Sequence, residues 1–184
     1  MKKNFSGTLF LVVGNSGSGK DSIISGAIKK FEGNAHLVKR YITREPSEFE
    51  DNYCISTERF KQMENEGKFA LKWHIYGLNY GVPIEIDEWL SAGDQVVVNV
   101  SRTIIKEARE KYENIKVVFI EVPFEITLQR VKNRGRESGE KLQERIERAK
   151  THQKLPEADF NVDNSEDLSD AIDQFLNYMV KVVS

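Results

Sequence analysis

Nine residues, Gly14-Asn15-Ser16-Gly17-Ser18-Gly19-Lys20-Asp21-Ser22, constrain this chain more than any other stretch. An apolar run from Leu9 to Val13 precedes them, and Ile23-Ile24-Ser25-Gly26-Ala27-Ile28 follows with helical spacing. Strand, glycine-rich loop and helix in that order are the context a phosphate-binding P-loop needs. Glycine at 14, 17 and 19 lets the backbone turn tightly and aim successive N–H groups inward. A helix starting near Lys20 adds its positive end, so an anion is held by dipole and donors together. The Lys20 ammonium then reaches the outer phosphates as a point charge. Loops rich in Gly and Ser are common between strands and helices, but this G-x-x-x-x-G-K spacing after an apolar strand is specific. We read Gly14 to Ser22 as a nucleotide-phosphate site. Asp21 departs from the pattern, which wants Ser or Thr there for magnesium.

With 184 residues, the chain has the length for one domain with a proper core. Its 27 basic and 29 acidic residues nearly balance, which argues against a general nucleic-acid binder. Cys54 is alone, so neither an intrachain disulfide nor a Cys-based metal site is expected. His36, His74 and His152 are too scattered for a zinc motif. No signal segment or long apolar span is visible. The expectation is a cytoplasmic protein with neither nucleic-acid nor membrane partners; its oligomeric state is open.

Past the first helix, Gly33-Asn34 ends the segment and His36 to Tyr41 reads as a second strand. The texture then changes: a turn at Glu45-Pro46-Ser47, acids at Glu48, Glu50 and Asp51, and a short strand at Tyr53-Cys54-Ile55. A helix from Thr57 to Asn65, with Thr57 as candidate cap, leads to strands at 69–74 and 78–80 separated by Gly77. Pro83 sits where a helix over 84–90 would start. Regular alternation resumes with strand 95–100, helix 103–112, strand 116–122 and helix 124–133. A basic loop, a charged helix over 140–155, a weak strand at 160–162 and an amphipathic helix over 168–182 complete the chain. Alternating strands and helices predict an α/β fold of nucleoside-monophosphate-kinase type, a parallel sheet covered by helices on both faces. We expect one domain, with a core of 1–42 and 93–184, an acceptor-binding insertion over 43–92 and an arginine-rich lid over 133–140.

The Asn-Lys-x-Asp motif of a GTPase is absent, as is an LSGGQ-like transporter signature. A small kinase remains. The P-loop together with Arg40-Tyr41-Ile42-Thr43-Arg44, Tyr80-Gly81 and Asn133-Arg134-Gly135-Arg136 resembles the guanylate-kinase-like family. Gly-Lys-Asp-Ser at 19–22, Trp73-His74-x-x-Gly77-Leu78-x-Tyr80-Gly81-Val82, Glu85-Ile86-Asp87, Trp89-Leu90 and Asn99-Val100-Ser101-Arg102 are most similar to its ribose 1,5-bisphosphate phosphokinase branch. That resemblance implies transfer of the γ-phosphoryl of ATP, with Mg²⁺, to the 1-phosphate of ribose 1,5-bisphosphate. Guanylate kinase and a non-catalytic interaction module are the alternatives. The retained Lys20 and lid arginines disfavour the module.

In guanylate kinases the resemblance places guanine-reading acids at the positions of Lys72 and Ser101. Lys72 has no acceptor at all, and lost base-reading hydrogen bonds weaken discrimination by as much as about 10⁴–10⁵-fold. The position of Asn99 is also usually acidic in that family. Asp21 is a candidate replacement for that carboxylate as an Mg²⁺ ligand, the competing reading being a helix cap. The site residues expected for acceptor binding are Arg40, Arg44, Tyr53, Lys72, His74, Tyr80 and Ser101. For each tyrosine and for His74, a purely structural role competes, and Trp73 and Trp89 read as core. Among Arg130, Arg134, Arg136, Arg145 and Arg148, the catalytic candidates are Arg134, Arg136 and Arg145, beside Lys20. No general base is needed, because a phosphate acceptor is already ionised near pH 7.

Overall fold

The computed structural model describes residues 1–46, 51–135 and 138–184. In chain order, β1 (Leu9–Val13) leads through the P-loop to α1 (Lys20–Lys30), and β2 (Ala35–Leu37) follows. Next come β3 (Tyr41–Ile42), β4 (Tyr53–Cys54), α2 (Thr57–Asn65), β5 (Phe69–Ile75), β6 (Leu78–Pro83) and α3 (Ile86–Ser91). The remainder is β7 (Gln95–Asn99), α4 (Ile105–Lys111), β8 (Ile115–Glu121), α5 (Phe124–Arg134), α6 (Gly139–Thr151), β9 (Phe160–Asp163) and α7 (Leu168–Val183). The main sheet is five-stranded in the order β2-β7-β1-β8-β9, with β2 parallel to β7 and β8 parallel to β9. Helices flank it. Every residue of β1 is buried, as expected of a strand covered on both faces. No helix among the described residues is long and apolar enough to cross a membrane.

Two compact units make up the chain: Met1–Leu11 with Gly33–Ile115, and Val12–Glu32 with Lys116–Ser184. The first holds a second sheet, ordered β4-β3-β6-β5. Here the segment expected as one strand over 36–41 is two, β2 on the main sheet and β3 on the second. A strand that switches sheets keeps its period-two pattern, so alternation cannot reveal the break. Ser56, rather than Thr57, caps α2, accepting from Arg59 N at 3.1 Å. Pro83 ends β6 instead of opening α3. A 3₁₀ turn, Arg102–Ile104, precedes α4. Trp73 stacks on Tyr80 at 5.3 Å, and Trp89 stacks on His36 at 4.4 Å.

In the second unit, α1 packs on α7 where Gly26 meets Ile172, so closely that a Cβ on Gly26 would overlap the Ile172 side chain. Ile23, Ile24 and Ala27 of α1 and Ala171, Phe175 and Met179 of α7 are buried. Gln174 of α7 covers the outer strand β9: its Oε1 accepts from Asp163 N at 2.9 Å and its Nε2 donates to Asp163 O at 3.0 Å. α6 stops at Thr151, short of the expected Leu155.

The hairpin of β5 and β6 turns through Tyr76 and Gly77, both left-handed at φ 54° and 74°. Two-residue hairpins with positive φ at both positions favour Asn-Gly, and tyrosine is strained there. Tyr76→Asn should therefore stabilise the protein by about 0.5–1 kcal/mol, raising Tm by about 1–4 °C on a calorimeter.

Candidate active site

The loop after β1 is built on its glycines. Gly17 and Gly19 sit at φ 81° and 87°. A Cβ on Gly17 would come within 3.0 Å of Arg130 Cβ, and one on Gly19 within 2.5 Å of Asn164 Nδ2. Ser18 N donates to Asn15 O at 3.0 Å, closing a turn, and Ile23 N donates to Gly19 O at 3.1 Å, opening α1. Lys20 Nζ lies back across the loop, donating to Gly14 O at 2.6 Å and Asn15 O at 3.3 Å. Its ammonium is thus already at the loop that would receive phosphate. Gly19 is the cap residue of α1 and has no side chain to close it, so Asp21 stands in the first turn and not at the cap. Asp21 and Ser22 are both exposed.

Side chains from α5, α6 and the residue after β9 grip this loop. Arg145 Nη1 donates to Ser16 Oγ at 2.5 Å. Arg130 Nη1 donates to Gly17 O at 3.2 Å, and Asn164 Nδ2 to Ser18 O at 2.7 Å. Asn15 Nδ2 in turn donates to His152 O at 2.9 Å, just where α6 has ended. A cavity of about 440 Å³ adjoins the grip, lined by Gly17, Gly19, Ser22, Arg130, Arg134 and Asn164, with Asn133, Glu166 and Leu168 beside them. The structure therefore brings Lys20, Arg134 and Arg145 to the P-loop region. Arg136 lies outside the described residues. Asn164, Glu166 and Leu168 do not stand out in the sequence, because a short weak strand and a polar turn carry no spacing signal.

The residues expected to bind the acceptor belong to the first unit, and they are more dispersed. Arg40 is 8% exposed, donating to Asn99 O at 3.0 Å and Asn52 Oδ1 at 3.3 Å, and it sits over the Tyr80 ring. Arg44 is half-buried just beyond β3. Tyr53 is exposed, stacked on Tyr41 at 4.7 Å with Lys39 above its ring. Lys72 and His74 project from the face of β5 opposite Trp73: Lys72 pairs with Glu64 of α2, and His74 Nδ1 meets Asn79 Oδ1 at 2.9 Å. Strand alternation sends Lys72 and His74 to the α2 side, whereas Arg40 lies with Tyr80 and Trp73 on the other face. Ser101 caps the 3₁₀ turn, accepting from Thr103 Oγ1 at 3.0 Å. Asp51 is exposed and pairs with Lys39; Ser47, Glu48 and Glu50 lie outside the described residues.

Among the described residues no group of three His, Cys, Asp or Glu could hold a metal ion. One carboxylate beside a polyphosphate loop suits Mg²⁺, which keeps its waters and takes most of its oxygens from substrate phosphates.

The family model for guanylate kinase matches residues 6–182. The chain belongs to the guanylate kinase family. Two relatives place it more finely, since both are named ribose 1,5-bisphosphate phosphokinase PhnN. The protein of Pseudomonas paraeruginosa is 36% identical over 176 residues, covering 94% of this chain and 95% of the relative. That of Pseudomonas fluorescens is 41% identical over 144 residues, covering 77% and 76%. A solved guanylate kinase from Anaplasma phagocytophilum shares the fold at a TM-score of 0.73 and 18% identity, covering 98% of this chain and 88% of that one. This guanylate kinase family member is accordingly an ATP-dependent phosphotransferase, and its P-loop geometry fits that chemistry.

Lys20→Ala should leave the fold intact and lower kcat by at least about 10²–10³-fold, measured by coupled ADP release. Asp21→Ala should raise the Mg²⁺ concentration for half-maximal rate; a magnesium dependence unchanged beside a lowered Tm would return Asp21 to a purely structural role.

Proposed function

We propose that this chain transfers the γ-phosphoryl group of ATP to the 1-phosphate of ribose 1,5-bisphosphate, giving 5-phosphoribosyl 1-diphosphate and ADP. An oxygen of the acceptor phosphate attacks the γ-phosphorus, the bond from that phosphorus to the bridging oxygen breaks, and ADP leaves. The acceptor oxygen is already ionised, so no side chain has to remove a proton. The protein's work is positioning and charge neutralisation. Lys20 and the P-loop amides hold the donor phosphates, and Arg134, Arg136 and Arg145 offset charge as it spreads over the transferring group. Asp21 would hold Mg²⁺ beside the donor phosphates, and the ion would supply further positive charge there. The cavity beside Arg130, Arg134 and Leu168 takes the adenosine part of the donor. ATP as donor and a lone cysteine fit a cytoplasmic setting.

One observation carries the choice of acceptor. Lys72 is held by Glu64 and Ser101 by Thr103, at the two positions where a guanine base would need carboxylates. A phosphorylated sugar needs cations and hydroxyl partners instead, and Arg40, Arg44, Tyr53 and Tyr80 are the candidates in the first unit. The relatives named for that reaction support the same choice.

The direct test is turnover of ATP against a panel of phosphorylated acceptors, with products identified by mass. Ribose 1,5-bisphosphate should give a kcat/KM well above that of GMP. Faster phosphorylation of GMP would make this a guanylate kinase, and no turnover with any acceptor would leave an interaction module. The double change Lys72→Glu, Ser101→Asp should cost sugar-bisphosphate activity through the carboxylate at 101, since Lys72 faces α2. It also replaces the Lys72–Glu64 pair by two facing carboxylates, but an exposed pair of this kind is worth only about 0–1 kcal/mol, so Tm should move little.

A further inference from the structure

Asn164 and Arg130 act on successive peptides of the P-loop. Asn164 is 3% exposed and anchored through its own backbone: its N–H donates to Glu121 O at 3.0 Å, and its carbonyl accepts from Arg130 Nη2 at 3.4 Å. From there its Nδ2 holds the Ser18 carbonyl at 2.7 Å, while the other arm of Arg130 holds the Gly17 carbonyl at 3.2 Å. Since these two residues are bonded to each other, they draw both carbonyls to one side. In a trans peptide the C=O and the following N–H point opposite ways. The Ser18 N–H is thereby sent to the far side, where it meets Asn15 O at 3.0 Å. By the same constraint the Gly19 N–H is turned away from Asn164. Asn164 is also what a Cβ at position 19 would strike, at 2.5 Å, so it senses that residue's backbone directly.

We infer that Asn164, braced by Arg130, is a positioning residue for the donor: it presets the Gly17–Gly19 peptides so that their N–H side is organised before any polyphosphate arrives. The inference rests on the donor-site reading above. Without the brace, part of the binding energy of the phosphates is spent on ordering the loop. Neither residue has to touch the transferring phosphate to have this effect.

The test is calorimetric titration of inorganic triphosphate into the unmodified protein, Asn164→Ala and Arg130→Lys. Triphosphate carries no base, so lost contacts to adenine do not enter, and Arg130→Lys keeps the charge while losing the rigid fork that spans two carbonyls. Asn164→Ala should bind triphosphate about tenfold more weakly, and Arg130→Lys about threefold, the scale of one hydrogen bond. In both variants the Ser18 amide, which donates to Asn15 O, should exchange its hydrogen faster, while the KM for the acceptor stays the same. Wild-type triphosphate affinity in both variants, or an unchanged Ser18 exchange rate, would overturn the inference, as would an equal rise in acceptor KM. If Asn164→Ala fails to fold, Arg130→Lys decides alone. An unmodified protein that does not bind triphosphate overturns the donor-site reading itself, and this inference with it.

Discussion

Left-handed backbone at Gly17 and Gly19 is the constraint on which the donor half of the molecule depends. That conformation is open to glycine at little steric cost and to most other residues only with strain. It is also entropically weak, since glycine loses the most freedom on folding. The loop is therefore held from outside, at Asn15, Ser16, Gly17 and Ser18, by His152, Arg145, Arg130 and Asn164. Each of these four contacts is polar. A phosphate cradle needs its backbone donors facing one way, and polar clamps on the carbonyls are the direct means of turning them.

The same arrangement ties catalysis to folding of distant sequence. Arg145 reaches Ser16 across 129 positions of chain, and Asn164 reaches Ser18 across 146. α6 ends ahead of Pro156, whose ring cannot follow a continuing helix, and the His152 carbonyl just past its end is taken by Asn15. The cluster expected as a lid is in part a clamp: Arg130 belongs to the loop's support, while Arg134 lines the adjoining cavity.

In the unit that carries the acceptor candidates, the decisive factor is strand alternation. Trp73 stacks with Tyr80 on one face of β5, and Lys72 and His74 leave by the other. A cation two residues from another in a strand shares its face; a cation next to a buried ring does not. The fold is kept against a guanylate kinase at 18% identity because sheet order and loop backbone are insensitive to most side chains. What the site accepts is sensitive to them, which is why fold alone does not assign the substrate.

Much of this protein is legible in its residues alone. The strand–loop–helix of Leu9 to Ile28, the alternation that gives a parallel sheet, and Lys20 at the loop all follow from local spacing, because a period and a glycine pattern are properties of consecutive residues. Arg145 could be singled out by charge and position. Asn164 could not, since one asparagine after a weak strand differs from any other polar turn until the fold sets it against Ser18. Nor could the break between β2 and β3, where one alternating run serves two sheets, or the pairing of Lys72 with Glu64. These depend on which residues distant in sequence become neighbours. That is decided by packing, and only the tertiary structure records it.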